Sequence, residues 1–230
     1  MRRKPLRYLT VVTYGRTGST AIQATLNALP GVLVRGENYN AFRGLHDYVQ
    51  SVAETADRHS SGKPNHPWYG SAKLSPADVL ADLRRHVVET VLRPGKDTEV
   101  VGFKEVRYEP GHFPDYDLLL DYLLFLNKLM PGIVYLLNIR DAAEAARSGW
   151  WPGNESAESV IATTNEWLIR AAADLNRILG PGRAEVLEYG AWNEDPQRLI
   201  DAYAAVGLPR DDAAVRAAVG EKLDHGPHSG

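Results

Sequence analysis

The chain contains no cysteine, which at once removes disulfides, thiol nucleophiles and cysteine-ligated zinc. It also lacks any apolar stretch approaching the ~20 residues that a membrane-spanning helix requires. The nearest run, Leu118 to Leu126, is interrupted by Asp121 and followed by Asn127 and Lys128. No charge excess of either sign dominates. A net charge of −3 gives no general attraction to nucleic acid or anionic membrane, so an anion site has to be a local basic pocket. The seven histidines show no H-x-x-x-H or other metal spacing, and no metal site is expected. Met1-Arg2-Arg3-Lys4-Pro5 is basic, but a short strand-like run follows it rather than the apolar core of a signal peptide. The expectation is a cytoplasmic protein that binds neither nucleic acid nor membrane.

At 230 residues, with 44% hydrophobic and 24% charged residues, one globular domain with a real core is the leading expectation. Apolar, strand-like runs recur at Tyr8–Thr13, Val32–Val34, Val100–Lys104, Ile133–Ile139 and Ala184–Glu188. Helical periodicity lies between them, at Thr20–Leu29, Pro76–Leu92, Tyr116–Met130, Ala157–Leu179 and Pro196–Val206. Short buried strands alternating with helices predict an α/β fold, a three-layer sandwich on a central, mostly parallel sheet of about five strands. Gly44 to Ser75 fits this rhythm least. It mixes helix formers with the polar stretch Ser60-Ser61-Gly62-Lys63-Pro64-Asn65-His66-Pro67 and reads as an insert or lid. Asp224 to Gly230 is polar and expected to fray.

The most informative segment is Val11-Val12-Thr13-Tyr14-Gly15-Arg16-Thr17-Gly18-Ser19-Thr20. A β-branched strand enters a short loop with glycines, hydroxyls and one cation, and the loop feeds an apolar-periodic helix. Backbone amides at such a helix start converge on an anion, and the helix dipole favours its charge. A Walker A loop would read G-x-x-x-x-G-K-[ST]; here no lysine precedes the hydroxyl residues. The chain is suited to a phosphorylated nucleotide, but not in the manner of an ATPase. A second anion site is suggested by Ile133 to Ile139, which runs directly into Arg140. An arginine at the carboxyl end of a buried strand faces the crevice where open α/β sheets bind ligands. Ser148 follows eight residues later; about two helical turns return it toward the arginine, and the pair suits a terminal phosphate.

Together the two motifs resemble those of the sulfotransferases that use 3′-phosphoadenosine 5′-phosphosulfate (PAPS), a P-loop-like fold. In that family P-[KR]-[ST]-G-[ST]-[ST] wraps the 5′-phosphosulfate, and a strand-end arginine with a serine eight positions on holds the 3′-phosphate. Arg16, Thr17, Gly18, Ser19 and Thr20 match the first motif, with Gly15 where proline is usual. Arg140 and Ser148 match the second, without the proline common after the arginine. The resemblance spans roughly residues 8 to 206, and Ala184–Gly190 with Glu194-Asp195-Pro196 is similar to bacterial members. The glycine-rich, basic cofactor loop that cytosolic animal members carry near the C-terminus has no counterpart here. The alanine-, arginine- and aspartate-rich composition also points to a bacterial source.

Sulfuryl transfer parallels phosphoryl transfer: alignment and neutralisation of charge on the leaving phosphate dominate, and no metal is required. Arg16 is the candidate first cation. Glu37 follows the Val32–Val34 strand, where the resemblance to bacterial and Golgi-type members implies the base. Lys104 ends the strand Val100-Val101-Gly102-Phe103, where the resemblance implies a second cation; Arg107 is a weaker candidate. His46, His59 and His66 are alternative bases. Trp68-Tyr69 and Trp150-Trp151 are aromatics able to stack on an acceptor or on adenine, or simply to pack loops. The resemblance implies PAPS as co-substrate and a small-molecule, sugar or natural-product hydroxyl as acceptor. The alternatives are a P-loop-like kinase or phosphotransferase, and a non-catalytic nucleotide-binding protein.

Overall fold

A computed structural model of the protein describes residues 5–58 and 62–220; the basic N-terminal residues, His59 and the polar tail singled out above lie outside the described residues. Five strands form one sheet: β1 (Arg7–Val12), β2 (Val32–Arg35), β3 (Val100–Glu105), β4 (Val134–Ile139) and β5 (Ala184–Glu188). Their spatial order is β2-β3-β1-β4-β5 and every pairing is parallel. The helices are α1 (Ser19–Asn27), α2 (Ala41–Ala56), α3 (Pro76–His86), α4 (Tyr116–Leu129), α5 (Ala142–Ala146), α6 (Ala157–Leu179), α7 (Tyr189–Glu194), α8 (Gln197–Ala205) and α9 (Asp212–Gly220). This is the expected α/β architecture.

Alternation along the strands divides the core into two layers. Leu9 and Val11 of β1 and Leu136 of β4 face one side, where they pack with Ile22 and Leu26 of α1, Leu199 and Tyr203 of α8 and Val215 of α9. Val12 of β1 and Tyr135 and Leu137 of β4 face the other, against Leu119, Leu123 and Leu126 of α4 and Ile161 and Leu168 of α6. Both faces are therefore covered, as a parallel sheet requires, because each strand must bury side chains above and below.

Gly44 to Ser75 is more regular at its start than its sequence suggests. α2 occupies Ala41–Ala56 and buries Phe42, His46 and Val52 on one stripe, with turns and a short 3-10 segment at Ser71–Lys73 later on. The helix expected over Pro76–Leu92 is α3, capped by Ser75 Oγ on the Asp78 amide, followed by a π-helical turn over Val87–Leu92.

The order matters for function at β1. From β1 the chain passes through α1 to β2 on one side, whereas β4 lies on the other side of β1, so the carboxyl end of β1 is the switch point of the sheet. Val12 is level with Glu105 of β3 and Leu137 of β4. The loop leaving β1 thus emerges between the ends of β3 and β4.

Candidate active site

The loop from Thr13 to Gly18 is locked from below by side chains that never reach solvent. Thr13 Oγ1 donates to Asn138 O at 2.6 Å and lies 2.8 Å from Thr17 Oγ1. Thr17 Oγ1 also reaches Tyr14 O at 3.1 Å. Asn138 Nδ2 donates to Thr17 O at 2.8 Å, and Asn138 Oδ1 accepts from Trp192 Nε1 at 3.0 Å. The hydroxyl of Thr17, a sequence candidate for cofactor contact, is therefore turned into the core, and only its backbone faces the loop. Gly18 is the α1 N-cap in the left-handed region (φ 77°), where a Cβ would in addition overlap the Tyr189 ring. The first α1 amides bonded within the helix are Ala21 and Ile22, both to Gly18 O. The amides ahead of them open from the helix end, as an anion cradle needs.

Arg16, also left-handed (φ 72°), is gripped from the β4 side. Arg140 Nη1 donates to Arg16 O at 3.0 Å, and Arg16 Nε donates to Ser148 Oγ at 3.2 Å. The two motifs read from sequence, 124 residues apart from Arg16 to Arg140, are thus in direct contact. Ser148 stands behind Arg16 rather than in the cavity wall. The Arg140 guanidinium lies 4.4 Å from the centroid of the Tyr189 ring, a cation–π contact, and its Nε meets Glu144 Oε2 at 3.4 Å. Its backbone is held by Tyr14, whose Oη accepts from the Arg140 amide at 3.0 Å and lies 2.9 Å from Arg140 O and 2.8 Å from Asn165 Oδ1. Burial pushes the Tyr14 hydroxyl up to about 12, so it remains a protonated donor.

On the β3 side, Lys104 Nζ donates to Glu37 Oε1 at 2.7 Å and Arg107 Nη1 to Glu37 Oε2 at 3.3 Å. The lysine is buried, whereas the Glu37 carboxylate keeps 37% of its side chain exposed. Arg107 Nη1 also donates to Glu105 Oε1 at 2.7 Å, and Glu105 has no solvent exposure. Burial pushes the Glu105 carboxyl up, but the amides of Asn40 and Val106, the Arg107 guanidinium and the Asn38 amide outweigh it and hold the group below the ordinary glutamate range.

A cavity of about 760 Å³ joins these parts. Its wall includes Arg16, Gly18, Ser19 and Thr20 of the loop, Arg140, and the Glu37, Lys104 and Arg107 group. Four cations (Arg16, Lys104, Arg107, Arg140) face it with one carboxylate, Glu37. The paired tryptophans separate in role. Trp151 is buried and donates from Nε1 to Gly15 O at 3.2 Å, whereas Trp150 is 62% exposed and lies in the cavity wall. Its indole rests on Gly15, where a Cβ would overlap the ring. Tyr189, Trp192 and Asn193 of α7 and Val219 of α9 also line it; of these only Tyr189 falls in a segment, Ala184–Gly190, that the sequence singles out. The aromatic contact of Tyr189 with Gly18 depends on α7 folding back over the loop, which local pattern does not reveal.

The remaining candidates lie apart. His46 is buried among Tyr122 and Phe125, with Nε2 2.9 Å from Asp121 Oδ2. His66 sits in a turn and accepts from the Trp68 amide at 3.1 Å. Trp68 and Tyr69 are exposed, Trp68 beneath the Arg58 guanidinium at 5.4 Å. None of these four lines the cavity. Among the described residues, no helix is long and apolar enough to cross a membrane.

No protein-family model matches the chain, and no curated protein matches it. Solved structures do. The chain is similar to the sulfotransferase domain of the Synechococcus PCC 7002 olefin synthase, at TM-score 0.56 and 16% identity over 96% of this chain and 80% of that one. It is likewise similar to the sulfotransferase domain from the curacin biosynthetic pathway, at TM-score 0.52 and 13% identity over 95% of this chain and 79% of that one. At such identities the likeness is one of architecture: the chain has a sulfotransferase-like fold.

Proposed function

We propose that this protein is a PAPS-dependent sulfotransferase acting on a hydroxyl of a small-molecule, sugar or natural-product acceptor. The observation that carries this reading is the single cavity in which an α1 amide cradle, four cations and one carboxylate meet. An excess of three positive charges over a helix N-terminus suits a polyanion such as a nucleotide bearing two phosphoryl centres and a sulfuryl group. The volume, about 760 Å³, lies within the range of small-ligand sites.

When bound, PAPS supplies a sulfuryl group activated by its bond to the 5′-phosphate. The Ser19 and Thr20 amides and Arg16 bind that end of the donor and neutralise it. Arg140, held against the Tyr189 ring, binds the 3′-phosphate; Ser148 supports it by fixing Arg16. Glu37 takes the acceptor proton. For this its carboxylate has to be released by Lys104, whose Nζ shifts toward the negative end of the donor while Arg107 keeps Oε2 in place. A change of partner by one lysine thereby links donor binding to the freeing of the base. Trp150, exposed above Gly15, offers a flat surface on which the body of an acceptor can stack. The natural-product context in the names of the two similar domains is consistent with an acceptor of that class.

Binding discriminates this reading from a kinase. 3′,5′-Adenosine bisphosphate should raise the melting temperature and ATP–Mg should not; the reverse result rejects the proposal. Arg140→Ala should weaken 3′,5′-adenosine bisphosphate by about 10-fold or more while leaving adenosine 5′-phosphosulfate, which lacks the 3′-phosphate, within a few-fold, as expected when a charge-assisted hydrogen bond is removed. Equal losses measured by calorimetry would reassign Arg140 to a purely structural role on the Arg16 carbonyl.

A further inference from the structure

Glu105 is absent from every motif that the function uses, yet it is the most completely bonded carboxylate near the cavity. Its Oε2 accepts from the amides of Asn38 (3.0 Å) and Asn40 (2.9 Å). Its Oε1 accepts from the Val106 amide (2.8 Å) and Arg107 Nη1 (2.7 Å). A carboxylate with no exposure is tolerated only when its lone pairs are taken in this way.

The two amides on Oε2 belong to the segment that carries Glu37, and that segment is strained. Tyr39 (φ 59°) and Asn40 (φ 54°) are consecutive left-handed residues, neither of them glycine. Left-handed backbone is strained for a tyrosine, less so for an asparagine, and such a pair persists only where the surroundings over-determine it. Nothing in the side chain of Tyr39 supplies that constraint, for it is 78% exposed and touches Arg107 only by stacking, at 4.1 Å. The turn does create a concavity of amides of the sort that binds anions, and Glu105 is the anion that fills it. Asn40 Nδ2 adds a bond to Arg107 O at 2.7 Å, and Asn38 Oδ1 caps α2 on the Ala41 amide at 3.1 Å. A second path runs through side chains: the Arg107 nitrogen that meets Glu105 is the one that meets Glu37.

We infer that Glu105 is a positioning residue: a buried anion that holds the strained Glu37–Asn40 turn and Arg107 so that the Glu37 carboxylate is presented to the cavity. The role assigned to Glu37 rests on the sulfotransferase reading, but the structural part does not. Glu105→Gln keeps the shape while replacing one oxygen by an NH₂ group that cannot accept from an amide.

Expected in Glu105→Gln are hydrogen exchange at the Asn38 or Asn40 amide faster by at least about tenfold, and 3′,5′-adenosine bisphosphate affinity within about twofold of wild type. With PAPS and 2-naphthol, kcat should fall about tenfold or more at unchanged KM for PAPS. A residue that merely stabilised the fold would weaken nucleotide binding in parallel, and that result overturns the inference, as do unchanged amide protection or an unchanged kcat. Tyr39→Gly, which removes a left-handed penalty, should restore part of the protection in the Glu105→Gln background, and no restoration also counts against it. If Glu105→Gln does not fold, the same exchange measurement on Arg107→Lys should show the Asn38 and Asn40 amides still protected, since Glu105 rather than Arg107 binds them; loss of that protection overturns the inference. Wild-type protein that neither binds 3′,5′-adenosine bisphosphate nor uses PAPS would reject the sulfotransferase reading alone, because the exchange result stands without it.

Discussion

The two walls of the cavity are built on different principles. On the β1–β4 side, the loop around Gly18 is held by neutral, buried bonds: Thr13 to Asn138, Asn138 to Thr17, and Trp192 to Asn138. Its cations are fixed by a ring face, a carbonyl and the Ser148 hydroxyl, and Arg140 adds a half-exposed ion pair with Glu144 at 3.4 Å. On the β2–β3 side, Glu37, Lys104, Arg107 and Glu105 form a chain of alternating charges in which each group has an ionic partner. A neutral lattice keeps its shape when a polyanion arrives, so it can be preorganised for binding. An ionic chain rearranges when a new charge enters, so it can couple binding to the release of a base. Under the proposed function, recognition and reactivity fall to opposite walls.

The largest expected effect falls on the ionic wall. Glu37→Ala should lower transfer from PAPS by about 100-fold or more while leaving 3′,5′-adenosine bisphosphate affinity within a few-fold, measured by radiolabelled sulfate transfer and calorimetry. Full activity in that variant would reject Glu37 as the base and break the division between the walls. Next is Gly18→Ala on the neutral wall. A left-handed backbone and an overlap with Tyr189 should cost on the order of 1–3 kcal/mol, seen as a lower urea midpoint and weaker nucleotide binding together. An unchanged midpoint would mean that the loop is less rigid than its bonds imply.

A pH effect sharpens the contrast. The Glu105 carboxyl is held below its ordinary range in the folded chain, so its bonds stabilise the fold above the unfolded-state pKa. That contribution is lost as pH falls through the lower, folded-state value. Urea unfolding followed from pH 7 downward should show a loss of stability in wild type that is shallower in Glu105→Gln. Identical profiles would remove Glu105 as a charge in the native state. The smallest effect is expected from Trp150→Ala, because the indole is exposed. The acceptor KM should rise a few-fold, with the melting temperature and nucleotide affinity little changed. A drop in nucleotide affinity instead would assign Trp150 to adenine.

The neutral wall was the more legible of the two from sequence, and the reason is locality. β1, the loop and α1 follow one another without a break, and Arg140 to Ser148 is likewise continuous, so residue type and spacing carry the information. The strands are equally readable because each is a short apolar run, and α6 begins and ends at the expected residues, Ala157 and Leu179. α2 was harder to see: its buried stripe is only Phe42, His46 and Val52, interrupted by Gly44 and polar residues. Glu105 offered no signal. One position past Lys104 it looks like a strand-end acid, and its burial is decided by a turn 65 to 67 residues away. The orientation of the Thr17 side chain is hidden for a related reason, since a hydroxyl in a phosphate-type loop gives no hint that Thr13 and Tyr14 occupy it from below.

The seat of the Trp150 indole on Gly15 makes those two positions a single unit of variation, although 135 residues separate them in the chain. A side chain at position 15 would evict the ring, so the indole can keep this seat only while position 15 stays bare. Any library that varies position 15 should therefore trim residue 150 at the same time, whereas residue 150 can be trimmed alone without a collision.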